Sequence, residues 1–195
     1  MNFQELVRTR RSVRRFRKGT IPETKVLSIL DSARWAPSYR NSQPWNLLVV
    51  YGSDDLNFLS EIYLNAYLRL AENLDDAEKN IILGMKETLR REFLDASFAV
   101  IMVADKSLSP SWPIDLSMAS ENMMLMAHEL GLGSSFIDVT YSRISRYFEK
   151  DKIYERYGIP DGMEIFSIIV FGIPDEIPRV PHRKSLSEIV HYGGW

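Results

Sequence analysis

The sequence predicts a single globular domain of mixed helices and strands, and three observations predict it. Apolar runs of strand length fall at Trp45 to Tyr51, Phe98 to Ala104 and Ile165 to Phe171. Between these runs the apolar residues recur three and four positions apart, the spacing of helices with one buried face. The length of 195 residues suits one domain with a real core and is short for two independent ones.

Composition narrows the chemistry. A net charge of −2 removes the whole-protein argument for nucleic acid, although basic residues concentrate between Arg8 and Lys18 and can form a local anion site. The chain has no cysteine, which excludes disulfides, cysteine-ligated zinc or iron–sulfur clusters and a thiol nucleophile, so redox chemistry must use a bound organic cofactor. The three histidines, His128, His182 and His191, form no ligand pattern in the sequence, and no metal is expected. The N-terminus lacks a basic region followed by an apolar core, and no apolar run approaches the roughly 20 residues of a membrane span. The expectation is a cytoplasmic protein without a membrane partner.

Taken in order, Asn2 and Glu5 form a capping box, and Phe3, Leu6 and Val7 give a short helix one apolar face, ending near Thr9. Val13 and Phe16 favour an extended backbone over the next residues. Side chains then alternate, so Arg10, Ser12 and Arg14 share one face while Val13 turns inward. Two guanidinium groups flanking a hydroxyl suit a phosphate, because arginine offers forked donors and the hydroxyl one more. A solvated basic run and a loose nucleic-acid patch fit the same spacing.

Thr20-Ile21-Pro22-Glu23 reads as a second capping box, and Val26, Leu27, Leu30 and Ala33 mark the apolar face of the helix that follows. Ala36 to Trp45 is then a loop of turn formers, amides and hydroxyls between two prolines. Pro37 and Pro44 push Ala36 and Gln43 out of the α region, which predicts a defined, mostly extended path with backbone groups free for a planar polar ligand. Trp45 reads as a core residue that anchors the loop.

Residues 54–94 form a helical excursion. Phe58, Leu59, Ile62, Tyr63 and Ala66 make one stripe, and Ile81, Ile82, Met85, Leu89 and Phe93 another, with a polar break at Asn73 to Asp76. Asp115 is placed to cap a long helix through Leu130, apolar nearly all round and rich in methionine, which predicts burial and a subunit interface. Gly131 caps that helix, and Gly131 and Gly133 are too few and wrongly spaced for a dinucleotide fingerprint. A short helix follows at Ser142 to Phe148, Gly158 closes another, and Ile165 to Phe171 reads as a central strand. The apolar C-terminal residues Leu186, Ile189, Val190 and Trp195 predict a tail that docks on something.

Taken together, these segments resemble the nitroreductase-like family of FMN-dependent oxidoreductases. The resemblance rests on the order of Arg10-Arg11-Ser12-Val13-Arg14-Arg15-Phe16, Ala36-Pro37-Ser38 through Asn41-Ser42-Gln43-Pro44-Trp45, and Leu94-Asp95-Ala96-Ser97. It continues through Asp115, the methionine-rich helix, Gly131-Leu132-Gly133 and Arg183. It implies an α+β sandwich with a mixed sheet flanked by helices, and an intertwined homodimer that binds FMN in two interface sites, each C-terminal tail docking on the partner.

Residue by residue, the resemblance puts Arg10, Ser12 and Arg183 at the phosphate and Arg14 near flavin N1 and the C2 carbonyl, with Arg11 also among the cofactor-binding residues. Pro37, Ser38 and Tyr39 match the flavin-contacting loop, part of which serves the partner's cofactor, and Asn41 and Gln43 its polar end. The backbone around Ile137 and Asp138 matches the segment at the N5 edge. Some relatives carry an amide and a lysine where this chain has Leu89 and Glu92, a departure at a flavin contact.

The implied chemistry is hydride transfer from NADH or NADPH to flavin N5, then reduction of a small electron-poor acceptor such as a nitroaromatic or quinone. A cation at Arg14 tunes the flavin, and no side-chain nucleophile is needed. Reductive dehalogenation, flavin fragmentation and flavin binding without turnover share the fold. A nucleic-acid-binding module is the reading from a different class.

Overall fold

The computed structural model describes residues 1–195. The helices are α1 (Phe3–Thr9), α2 (Glu23–Ala33), α3 (Ser53–Ala71), α4 (Asp76–Gly84), α5 (Lys86–Leu94), α6 (Trp112–Glu129) and α7 (Lys150–Tyr157). The strands are β1 (Phe16–Arg17), β2 (Trp45–Val50), β3 (Phe98–Asp105), β4 (Gly133–Asp138) and β5 (Met163–Pro174). No helix is long and apolar enough to cross a membrane.

The sheet is built on β5. β3 pairs with it and with β2, and β1 and β4 also pair with β5. Along β3 the side chains alternate between two cores: Ala99, Ile101 and Val103 enter one, and Phe98, Val100, Met102 and Ala104 the other. The first core is closed by α3, α5 and α7 through Leu59, Ile62, Leu89, Phe93 and Ile153. The second is closed by α2 and α6 through Val26, Ile29, Leu116, Ala119 and Met123. Each fully buried side chain of this size contributes ~1.5–3 kcal/mol from burial, so a sheet covered on both faces holds this chain together without disulfides.

β5 shows how sequence sets register. Ile165 and Phe166 face the first and second cores respectively, whereas Ile168, Ile169, Val170 and Phe171 follow with the opposite parity. The register with β3 shifts between Met102 and Val103, which oppose Ser167 and Ile165. Phe166 is therefore the extra residue of a β-bulge, and the bulge keeps apolar side chains inward on both sides of it.

Several expectations are corrected. Every pairing between named strands is antiparallel, and the sheet is mixed only through one parallel bridge, Ser12 to Ser134. α2 has no capping box: Pro22 is its N-cap and makes no side-chain cap, because Thr20 lies too far upstream. Leu27 is exposed, and the buried face of α2 runs through Val26, Ile29, Ser32 and Ala33 instead. Ile81 and Met85 are also exposed, since a break at Met85 separates α4 from α5 and turns the stripe out of line. Ser142 to Phe148 holds only a 3-10 turn at Ser145–Tyr147. The apolar tail, expected to dock on a partner, is exposed on the single chain: Leu186, Ile189, Val190 and Trp195 lie at the surface, with Trp195 stacked on His191 within the tail.

The loop after α2 differs most. It is not extended: Tyr39–Asn41 forms a 3-10 turn, and Arg40, Asn41 and Gln43 have φ of 48°, 56° and 47°. Left-handed residues other than glycine are held there by their surroundings. Pro44 does keep Gln43 out of the right-handed helical region, as its ring demands.

Candidate functional site

The basic segment between α1 and β1 is positioned by backbone, then by packing. α1 has the capping box of Asn2 and Glu5, which delivers the chain to Arg10 in a fixed direction. The Val13 N–H then donates to the Ser134 carbonyl at 2.8 Å, laying the segment beside β4. Val13 is buried against Gly133, where a Cβ would come within 2.8 Å of the valine Cβ. Only glycine lets the two backbones approach so closely.

This anchoring sets the arginines. Arg10 reaches α6, its Nε 3.4 Å from Glu121, yet its Nη1 is buried with no hydrogen-bond partner. Arg11 donates to the Arg10 carbonyl, and its Nε is likewise buried and unpartnered. Ser12 is half-buried at the bridge. Thr9 Oγ1 lies 2.8 Å from His128 Nε2. Burial pulls the imidazole pKa down, and the charges of Arg10 and Arg11 pull the same way. Two buried guanidinium donors without acceptors on adjacent residues suit an anion, because an unmet buried donor is costly.

Arg14 is more open, and its Nε lies 3.8 Å from a carboxylate oxygen of Glu92, which is 1% exposed on α5. Burial pushes the Glu92 pKa up, opposed by the Ser135 hydroxyl, the Arg14 charge and the Tyr63 hydroxyl. Asp138 is occupied in another way: its Oδ1 accepts the Thr140 and Tyr141 backbone N–H groups, each at 2.8 Å. Ile137 beside it is buried in β4.

The loop Pro37, Ser38, Tyr39, Asn41 and Gln43 is held separately. Asp115 Oδ1 accepts the Tyr39 N–H at 3.1 Å, and its Oδ2 accepts the Ser109 hydroxyl at 2.6 Å. Asp115 is therefore a buried anchor in the first turn of α6, and Ser111 is the N-cap, contrary to the expected capping role. Ser38 Oγ accepts the Gln43 N–H at 3.0 Å and closes the loop on itself. Pro37, Tyr39, Asn41 and Gln43 remain exposed on this rigid frame.

The structure thus brings Ser12, and with it the basic segment, to the start of β4 at Ser134, the strand whose other end is Ile137–Asp138. It does not bring the others: no hydrogen bond or ion pair joins the Pro37 to Gln43 loop to the basic segment, and Arg183 lies in the exposed tail without a polar partner. Glu92, Ser135 and Asp115 are the polar groups whose place the sequence conceals. For Glu92 a signal exists, since Leu89, Glu92 and Phe93 stand at the three–four spacing of one buried helix face.

Comparison with known proteins gives this arrangement its context. Residues 7–173 match the model described as the Nitroreductase family. A protein of Methanothermobacter thermautotrophicus, provisionally named NADH dehydrogenase/NAD(P)H nitroreductase, is 30% identical over 181 residues, covering 91% of this chain and 80% of its own. The FMN-dependent nitroreductase of Clostridium difficile R20291 superposes with a TM-score of 0.76 at 26% identity, over 99% of this chain and 100% of its own. A nitroreductase with bound FMN from Desulfitobacterium hafniense has the same fold, with a TM-score of 0.76 at 21% identity over 98% of this chain and 99% of its own.

Proposed function

The chain belongs to the nitroreductase family, and from that premise we propose that it is an FMN-dependent oxidoreductase that takes hydride from NADH or NADPH and reduces small electron-poor acceptors such as nitroaromatics or quinones. The observation that carries this reading is the pair of buried, unpartnered guanidinium nitrogens, Arg10 Nη1 and Arg11 Nε. They supply the donors an FMN phosphate needs, with Ser12 beside them. Bound flavin supplies the hydride chemistry at N5. Arg14 provides a cation for its pyrimidine side, and the Ile137–Asp138 backbone lines the N5 edge.

The remaining residues come from a second copy in this reading. Pro37, Ser38, Tyr39, Asn41 and Gln43 are displayed outward on a loop that does not meet the basic segment of its own chain. A homodimer joins the two halves. It also gives the exposed apolar tail a surface and brings Arg183 to the phosphate. A groove of about 1030 Å³ lined by Leu6, Leu27, Trp35, Leu125 and Met126 is exposed apolar surface of the kind a second copy covers.

An absorption spectrum of the purified protein, taken before and after anaerobic addition of NADH or NADPH, tests the reading. The expected result is a yellow protein whose flavin bands bleach with the donor and return with a nitroaromatic or quinone. Absence of flavin binding would overturn the reading, and bleaching without reoxidation by any acceptor would leave a flavin-binding protein instead of this enzyme.

A further inference from the structure

Glu92 is a carboxylate inside the core that the proposed function leaves without a task. Both of its oxygens are buried and lack a hydrogen-bond partner, as does the hydroxyl of Ser135. Arg14 Nε, at 3.8 Å, is its one ion-pair partner. The groups that face it come from three elements: Arg14 from the basic segment, Tyr63 from α3 with Tyr67 beyond it, and Ser135 from β4. Burial and the Glu92 charge both push the Tyr63 pKa up, so Tyr63 stays neutral; the outer side of Arg14 shares a cleft with Arg15, Glu87, Arg91, Asp95 and Asp175, none of them paired with it.

A buried carboxylate whose neighbouring Ser135 and Tyr63 hydroxyls stand outside good hydrogen-bond geometry costs stability, and evolution of the core alone would favour an apolar residue between Leu89 and Phe93. Its placement is informative. The Ser12–Ser134 bridge fixes Arg14 two residues on and Ser135 one residue on, so Glu92 sits at the inner end of the segment that displays the cation. Arg14 itself is 57% exposed along its side chain and has no other ion-pair partner. Its direction and its effective charge both depend on Glu92.

We propose that Glu92 is the positioning residue for Arg14: it holds the guanidinium from behind and offsets its charge, so that Arg14 favours reduced FMN less than an unpaired cation would. The inference rests on the FMN reading of Arg14. With Glu92 ionised, the pair is neutral, and with Glu92 protonated, the pair carries one positive charge. The flavin reduction potential therefore gains a pH dependence beyond the protons of the flavin itself. It rises towards the value set by an unpaired Arg14 as pH falls.

The test is the midpoint potential of the FMN-loaded protein, measured by equilibration with reference dyes from pH 5.5 to 8.5. It is made for the wild type and for Glu92→Gln, Arg14→Gln and the double variant. Glu92→Gln should shift the equilibrium towards reduced flavin about tenfold at pH 8.5, ~30 mV for a two-electron couple. The shift should shrink as pH falls, and it should be largely lost in the Arg14→Gln background. Glu92→Asp, which keeps the charge but withdraws it by one methylene, should give a smaller shift in the same direction. Bound FMN with a potential unshifted in both Glu92→Gln and Glu92→Asp overturns the proposal, as does an equal shift with and without Arg14. A wild-type protein that takes up no FMN overturns the functional reading and this inference with it.

Discussion

The Tyr39 backbone N–H donates to Asp115 Oδ1 at 3.1 Å, tying a loop of left-handed residues to the first turn of α6. The same carboxylate accepts the buried Ser109 hydroxyl through its other oxygen at 2.6 Å. One buried residue of α6 thus fixes the loop and the start of the helix together. Asp115→Ala removes both bonds and leaves Ser109 without its acceptor. The expected loss is ~2–4 kcal/mol of stability, from hydrogen bonds to a buried charged group. FMN affinity should fall as well, because the loop proposed to meet the flavin loses its fixed shape. Urea denaturation and FMN titration of the same variant check the two effects.

The anion site gives a separate prediction. Arg10→Ala combined with Arg183→Ala should weaken FMN binding by several kcal/mol, at roughly 1.5–3 kcal/mol for each charged hydrogen bond lost. Stability without FMN should change little from the Arg183 substitution, since that side chain has no partner in its own chain. Fluorescence quenching of FMN on binding measures the first effect, and thermal unfolding of the FMN-free protein the second.

Gly133 makes the approach of the basic segment to β4 possible, and Gly84 is a contrasting case. A Cβ at Gly133 would meet the Val13 Cβ and Cγ1 at 2.8 Å, both on a buried, branched side chain with little room to turn. Gly133→Ala should therefore cost ~1–3 kcal/mol from overpacking and, by displacing Arg10 to Arg14, weaken FMN binding too. At Gly84, the last residue of α4, a Cβ meets nothing within 4 Å. Gly84→Ala should stabilise by up to ~1 kcal/mol through helix propensity and leave FMN binding unchanged. Equal effects of the two substitutions on FMN affinity would contradict the role given to Gly133.

The strands were legible because a fully covered strand is an unbroken apolar run, and the helices because burial on one face repeats at three and four residues. Periodicity shows that a face is apolar without showing what covers it, which is why Leu27 and Ile81 read as core and stand exposed. The left-handed turn at Arg40, Asn41 and Gln43 was not legible, since it is stabilised by Asp115, more than 70 residues away in the sequence. Glu92 was concealed by its type: a glutamate in a basic, polar helix reads as solvated, and only its spacing from Leu89 and Phe93 places it inside. The basic segment was half legible. Alternation put Val13 inward, but the choice between solvation and an anion site required the buried nitrogens of Arg10 and Arg11.

Glu92 also makes stability depend on pH in a direction opposite to that of most paired carboxylates. Burial raises its pKa in the folded chain above the ordinary glutamate value. Between those two values the folded protein binds more protons than the unfolded one, so stability rises as pH falls through that window. The penalty of the ionised group is fully present above the folded pKa and gone below the unfolded one. Glu92→Gln removes the titration and keeps the shape. Its stability relative to the wild type should therefore be most favourable above the folded pKa of Glu92 and decline through that window towards about pH 3, where wild-type Glu92 is neutral in both states. Urea midpoints of the two proteins across this range, without FMN, measure the difference. A constant offset at every pH would show that Glu92 titrates alike in the folded and unfolded chains, so that burial does not raise its pKa.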